Sequence, residues 1–374
     1  MSAVASAPES YIESLELFGM QFGLERIHDL LDKLGNPEAD FDAIHVVGSN
    51  GKSSTVRFCE ALLEAEGVRT GAYLSPHITT FRERIRIGGE TISAEGYERA
   101  VSAVRDTRLE VTQFEALTAA AYVAFAAARV QVAVVEAGLG GRLDATNVLA
   151  RSRVQVLTNV SLEHSELLGQ TRERIAAEKL AVVPEGGDLV IGEAGWEDAA
   201  PQAARTKVVT VGGSYQDQNR AVARAAVETL LGRPVDPSPI ERLDVPGRLE
   251  VRGHRPLEIW DGAHNPAGMQ RLAAELPALL GDRQAVAVFA AMADKDVASM
   301  VSLLRTVCPT IIATTSSNPR SLPADTVASL AGGPSCERPK EALEAARVLA
   351  GPNGAVVVCG SLYLLHDLSG DAPD

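Results

Sequence analysis

Positive charge is in short supply in these 374 residues: 35 lysines and arginines face 49 aspartates and glutamates, a formal net charge of −14. Nucleic-acid binding rests on a cationic surface that neutralises phosphates, so this balance argues against nucleic acid as a partner. Any anionic substrate must therefore meet local positive charge. Cysteine is scarce too. Cys59, Cys308, Cys336 and Cys359 show neither paired metal-ligand spacing nor the density of a disulfide scaffold, which fits a reducing cytoplasm. Aromatic residues are only 4% of the chain, so the cores are expected to pack from small and branched side chains. Long apolar runs are lacking as well. The most extended, "ALTAAAYVAFAAARVQVAVVEAGLGG", is interrupted by Arg129 and Gln131 before it reaches the roughly 20 residues a membrane span needs. It reads as a buried helix followed by a strand, with no membrane partner. The opening "MSAVASAPESYIESLELFG" has no basic segment followed by an apolar run, so no signal peptide is expected.

What is present is a series of short apolar runs rich in branched residues. "AIHVV", "TGAYL", "QVAVVE", "RVQVL", "DLVIG" and "KVVTV" come first, then "LEIWD", "AVAVFA", "TIIATT" and "AVVVC". Helix-like segments such as "SSTVRFCEALLEAEG" and "QNRAVARAAVETLLG" separate most of them. Continuous rather than alternating apolar strands, interleaved with helices, predict an α/β protein with mostly parallel sheets covered on both faces. The proline-bearing stretch "GRPVDPSPIERLDVPGR", residues 232–248, is the candidate linker. It divides the chain into expected domains at 1–242 and 243–374, the second built around four strands.

"HVVGSNGKSST", residues 45–55, reads as a strand end, a glycine turn and a helix start. The common phosphate-loop pattern fails on its first glycine, since Val46 stands five residues before Gly51. The physics survives the shortening. Gly48 and Gly51 permit a tight turn around Ser49 and Asn50, backbone amides at a helix N-terminus attract phosphate, and Lys52 adds a mobile charge. Ser53 or Ser54 could ligate magnesium. A plain glycine turn with a solvated lysine remains the alternative.

Further candidates follow other strands, where α/β ligand sites gather. Ser75 lies in "AYLSPHITTFRERIRI", either a turn-capping serine or a ligand. Glu136 ends an apolar strand and enters a glycine-rich loop, where a carboxylate is costly to bury unless paired or bound to metal. Thr158, Asn159, Glu163 and His164 follow "RVQVL". Lys179 sits on a helix, by default with a solvated head and a buried stem. Asp261 ends "LEIW" and enters a glycine turn, as a ligand group or as an Asx turn.

Taken in order, "YIESLELFGMQFGLERIHDLLDKLGNPEADFDAIHVVGSNGKSS", "LSPHITTFRERIRI", "FEALTAAAYVAFAAARVQVAVVEAGLGGRLDATNV", "SLEHSELLG", "IAAEKLAVV", "PGRLEV", "DGAHNPAG" and "GSLYLL" resemble folylpolyglutamate and dihydrofolate synthases of the Mur ligase superfamily. The likeness runs from about residue 11 to 366. It implies a P-loop ATPase-like first domain, a smaller Rossmann-like ligase domain, and ATP-dependent amide ligation of L-glutamate to dihydropteroate or a folate. ATP and Mg2+ are the implied cofactors, with a monovalent cation as an open addition. By the same resemblance Gly48, Ser49, Asn50, Gly51, Lys52, Ser53 and Ser54 cradle the ATP phosphates. Ser54 is the family's loop serine, and Ser75, Glu136 and His164 hold magnesium. Lys179 matches a carbamylated lysine able to ligate a second magnesium, or touches the phosphoryl group unmodified. Asn219, Arg248, Asp261 and His264 match nucleotide contacts, while Phe81, Arg84, Asp144 and Asn147 fall at the acceptor site. Lys52, Lys179 and His164 are the implied catalytic residues.

Departures are visible. Where the family loop reads G-T-N-G-K-G-S, Ser49 and Ser53 replace threonine and the last glycine, and the segment from Lys179 to Asn219 is short. A trimmed periphery with intact chemistry is expected, with acceptor choice open. A Mur-type ligase with another carboxylate acceptor, or a non-catalytic nucleotide- or folate-binding paralogue, are the alternatives. The presence of Glu136, His164 and Lys179 counts against the second. No exposed apolar helix or zipper pattern is evident, so a monomer is expected.

Overall fold

The six apolar runs before the proline-bearing stretch fall at or beside strands of one eight-stranded sheet, which two further short strands, the third and fourth, extend: β1 (Asp42–Val47), β2 (Thr70–Tyr73), β3 (Ile85–Ile87), β4 (Glu90–Thr91), β5 (Val132–Glu136), β6 (Ser152–Leu157), β7 (Asp188–Ile191) and β8 (Arg205–Val208). Their spatial order is β4-β3-β2-β5-β1-β6-β7-β8. From β2 to β8 the pairings are parallel, and β3 and β4 add an antiparallel margin. This computed structural model describes residues 7–15 and 23–370, without the Ala7 and Ser165 side chains, and it divides into two compact units between Leu243 and Asp244.

Strand β1 is central and buried because Ile44, Val46 and Val47 have neighbours on both sides. Its register sets the site. Val46 lies opposite Glu136 and Val47 opposite Leu157, so the exits of β1, β5 and β6 meet along one edge, where ligand sites form in parallel sheets. The run broken at Arg129 and Gln131 is helix Gln113–Ala127 followed by β5. The sparse aromatics gather there: Phe41 meets Tyr122 and Phe125 edge-on, each with 5.7 Å between centroids. Gly71 on β2 faces the Phe125 ring, which a Cβ would meet at 2.6 Å.

The second unit holds β9 (Glu250–His254), β10 (Leu257–Trp260), β11 (Ala285–Phe289), β12 (Thr310–Ala313) and β13 (Ala355–Cys359), in the order β12-β11-β13-β10-β9. Four of these are the predicted apolar runs, paired in parallel. The fifth, β9, is an antiparallel edge strand. Its sequence "EVRGH" is polar because both of its faces are largely solvated. Among the described residues no helix is long and apolar enough to cross a membrane.

One core group gives the first unit an acid sensitivity. His45 is 1% exposed, its Nε2 lies 2.8 Å from Thr146 Oγ1, and burial pulls its pKa from 6.5 down to about 4. A folded-state pKa below the unfolded one means that the unfolded chain takes up the proton first, so stability is lost as pH falls from 6.5 toward 4. The expected loss is about 3 kcal/mol. Denaturant melts of His45→Gln should show a flatter pH dependence over that window than the parent; parallel curves would refute the assignment.

Candidate active site

The chain leaves β1 at Val47 and turns at Gly48 (φ +145°) and Gly51 (φ +83°), the latter being the N-cap of helix Lys52–Ala65. Only glycine fits either place. A Cβ on Gly48 would lie 1.9 Å from Thr158 Oγ1, and one on Gly51 2.4 Å from Asn219 Oδ1. Asn219 is thus brought against the loop. The exit of β6 holds the turn from its other side. Asn159 Oδ1 accepts from the Asn50 amide, Asn159 Nδ2 and Thr158 Oγ1 both donate to Asn50 O at 2.7 Å, and Ser49 Oγ accepts from the Ser161 amide at 3.0 Å.

Two lysines converge on one carbonyl. Lys52 Nζ and Lys179 Nζ each donate to Gly48 O at 3.0 Å, and Lys179 Nζ also donates to Glu163 Oε1 at 3.0 Å. Lys179 is 2% exposed rather than solvated, because helix Arg172–Leu180 turns it inward beneath the loop. Burial pushes its pKa down, against the raising effect of Glu163. Burial alone would raise the Glu163 pKa, but Lys179, Lys52 and Ser49 hold it at about 2. Glu163 was visible only as an acidic residue after a strand; pairing through space gives it a place in the site.

Glu136 ends β5 buried, accepting from Ser53 Oγ at 3.1 Å and from the Ser75 amide at 3.2 Å. The two loop serines differ in their surroundings. Ser53, half-buried in the first helical turn, reaches Glu136, whereas Ser54 is fully buried and its Oγ has no hydrogen-bond partner. His164 follows Glu163 directly in a left-handed conformation (φ +45°), and its carbonyl starts the short helix Ser165–Leu168. Among the described residues no three His, Cys, Asp or Glu side chains form a closed metal cluster. An open set of one carboxylate and hydroxyls suits Mg2+, which takes much of its shell from phosphate and water.

A second group lies beyond Ser75. Arg84 Nε donates to His77 Nδ1 at 2.9 Å, its guanidinium sits 5.5 Å from the Phe81 centroid, and the His77 and Phe81 rings are 4.5 Å apart. The three arginines of "FRERIRI" therefore differ: Arg82 binds Ile92 O, Arg86 is buried on Glu60 at 2.9 Å, and Arg84 stays with the aromatic group. Asp144 is engaged by its own loop. It is buried, and its oxygens accept from the Leu139 amide at 2.8 Å, the Thr146 amide at 3.0 Å and the Thr146 hydroxyl, so it shapes the loop. Burial raises its pKa. Asn147 is half-buried and donates to Arg142 O at 3.0 Å.

In the second unit, Asp261 accepts from the amides of Leu249 and Ala263, both at 2.8 Å, which stabilises Leu249 at φ +51° beside Arg248. Arg248 donates to Gly247 O at 2.9 Å and lines Gly262, where a Cβ would meet its Nη1 at 2.3 Å. His264 Nδ1 lies 2.8 Å from Gly262 O. Arg248, Asp261 and His264 thus share one loop cluster at the exit of β10.

Comparison with known proteins gives this geometry its context. Residues 46–227 match the profile of the Mur ligase middle domain and residues 247–362 that of the Mur ligase glutamate ligase domain. The chain is 30% identical over 420 residues to the dihydrofolate synthase/folylpolyglutamate synthase of Bacillus subtilis (strain 168), covering 96% of this chain and 97% of that one. Escherichia coli FolC, solved in complex with DHPP and ADP, superposes with a TM-score of 0.89 at 27% identity, covering 98% and 97% of the two chains. A bifunctional folylpolyglutamate synthase/dihydrofolate synthase solved with Mn, AMPPNP and L-glutamate bound gives a TM-score of 0.87 at 28% identity and 97% coverage of each chain. With the two-lysine loop, the Glu136 group and both domain matches in hand, the chain belongs to the folylpolyglutamate synthase/dihydrofolate synthase family of Mur ligases.

Proposed function

We propose that the protein is an ATP-dependent ligase that adds L-glutamate to dihydropteroate, a reduced folate, or both. The observation that carries this reading is the convergence of Lys52 and Lys179 on Gly48 O beside the Ser53–Glu136–Ser75 group. The acceptor carboxylate attacks the γ-phosphorus of ATP, releasing ADP and forming an acyl phosphate. The glutamate amine, having lost a proton, then attacks the acyl carbon and phosphate leaves. The chain's part is positioning and charge stabilisation. The Ser49 and Asn50 amides are held by Asn159, so the amides of Gly51, Lys52 and Ser53 and the Lys52 ammonium would meet the phosphates, with Asn219 packed against Gly51. Ser54, Ser75, Glu136 and His164 would hold a divalent cation, which neutralises phosphate charge when bound, with Ser53 orienting Glu136. Lys179, if carbamylated, would serve a second one. Lys179 fits that chemistry because its lowered pKa favours the neutral amine that carbon dioxide requires. Phe81 and Arg84 would hold the acceptor's ring, with Asp144 and Asn147 supporting the wall. Arg248, Asp261 and His264 would add nucleotide contacts from the ligase domain. The four cysteines are free thiols, which supports action in a reducing cytoplasm, and we take the working form to be a monomer.

The test compares acceptors. Purified protein with ATP, Mg2+ and L-glutamate should release phosphate and add the mass of one glutamate to dihydropteroate, to tetrahydrofolate, or to both. Gain with dihydropteroate alone makes it a dihydrofolate synthase, and gain with both makes it bifunctional. No gain with either acceptor, despite ATP binding, would sink the reading.

A further inference from the structure

The exit of β6 carries much of the site, yet from Thr158 to His164 it has no regular ladder of its own. Its buried polar backbone needs other partners. Those at Val160 come from two side chains outside the site described above. Glu193 Oε2 accepts from the Val160 amide at 2.8 Å, and Arg172 Nε donates to the Val160 carbonyl at 3.1 Å. The two also pair with each other, Arg172 Nη2 to Glu193 Oε1, at 2.5 Å. Trp196 seals the group: its Nε1 donates to Glu193 Oε2 at 3.0 Å, and the Arg172 guanidinium lies 5.0 Å from its ring centroid. Gly192 lets this turn approach, since a Cβ there would lie 2.6 Å from Thr158 O. Burial would raise the Glu193 pKa, but the Val160 amide, the indole and the guanidinium hold it below the usual carboxylate range. The carboxylate is thus kept in its accepting form.

We infer that Glu193, Arg172 and Trp196 form a clamp on the Val160 peptide that positions the nucleotide loop and the Glu163–His164 pair. Ser161, one residue on, is held by Ser49, and Asn159, one residue back, holds Asn50. A shift of the Val160 peptide therefore moves both contacts to the loop together, and with them the presentation of Glu163 to Lys179. Glu193 and Trp196 belong to the shortened segment after Lys179, so the clamp ties the trimmed periphery directly to the site. None of the three touches a reacting atom; they are positioning residues.

The inference rests on the ligase reading only for the turnover measurement. Glu193→Ala should raise the KM for ATP by about tenfold or more, as loss of an orienting group behind a ligand site does. The KM for the pterin acceptor should stay within about twofold, since Phe81 and Arg84 lie elsewhere. Glu193→Gln keeps an oxygen for the Val160 amide and the indole, so it should recover most of the ATP affinity. Arg172→Ala should resemble Glu193→Ala, and the double variant should be no worse than about the worse single one, the non-additivity expected of groups acting as a unit. Calorimetric titration with ADP gives the same comparison without turnover. It separates failure of the clamp from failure of the ligase assignment. An unchanged nucleotide affinity in Glu193→Ala would overturn the inference. So would Gln no better than Ala, or a loss shared equally by all substrates with a collapse in thermal stability.

Discussion

Lys179→Ala is expected to reduce turnover by about 10³-fold, the upper range for removing one preorganised charge-stabilising group. The side chain is buried, bridges Gly48 O and Glu163, and shares its acceptor with Lys52. Its removal leaves Glu163 beside Lys52 alone, and the buried stem leaves space behind. That space makes the variant diagnostic. Acetate or propionate should restore part of the activity if the working group is a carbamate, because a small acid returns a carboxylate to the same place. Ethylammonium should do so if the working group is the unmodified ammonium. Phosphate release with saturating ATP and acceptor, in each added salt, makes the distinction. Activity within about tenfold of the parent without any addition would remove Lys179 from the machinery.

Gly48→Ala should be nearly as damaging, through geometry rather than charge. A φ of +145° is strained for any residue with a Cβ, and here that atom would sit 1.9 Å from Thr158 Oγ1 and 3.1 Å from the Thr158 backbone nitrogen. The loop must move, and both lysines take their position from the Gly48 carbonyl. A displacement of about 1 Å in a positioning loop is enough for a roughly 10²-fold loss. We expect kcat/KM for ATP to fall by at least that amount. Adding Thr158→Ala removes the side-chain collision but neither the backbone contact nor the strained φ. The double variant should therefore recover only part of the loss. Full recovery would mean that the clash alone, and not the glycine conformation, fixes the loop.

The parts of this molecule legible from sequence were those in which a local pattern has one physical solution. Continuous branched runs between helical segments allow little besides a buried parallel sheet, and the central strands fall where "AIHVV", "QVAVVE" and "RVQVL" stand. The two loop glycines were legible because a strand-to-helix turn that approaches phosphate excludes a Cβ. Short or charged strands were not. β3 and β4 span three and two residues, and β9 is a solvated edge without an apolar pattern. In the site, sequence order brought Glu136, Ser75 and Lys179 forward. It could not say that Glu163 would pair with Lys179, that Ser53 rather than Ser54 would face Glu136, or that Asp144 would be engaged by its own loop. Each depends on which way a side chain turns within a few residues, a matter of packing rather than spacing.

The shared carbonyl of Gly48 has one more implication. Lys52 and Lys179 donate to the same oxygen, and burial above all, with the charge of Lys52 added, disfavours a proton on Lys179 against the pull of Glu163. If Lys179 is carbamylated, Lys52 would add to burial in favouring the neutral amine that reacts with carbon dioxide. Carbamylation there would reverse the sign of the pair's interaction, so that two groups which repel as ammonium ions would attract across the loop. A dissolved gas would in that way turn an electrostatic repulsion in the protein into an ion pair across its nucleotide loop.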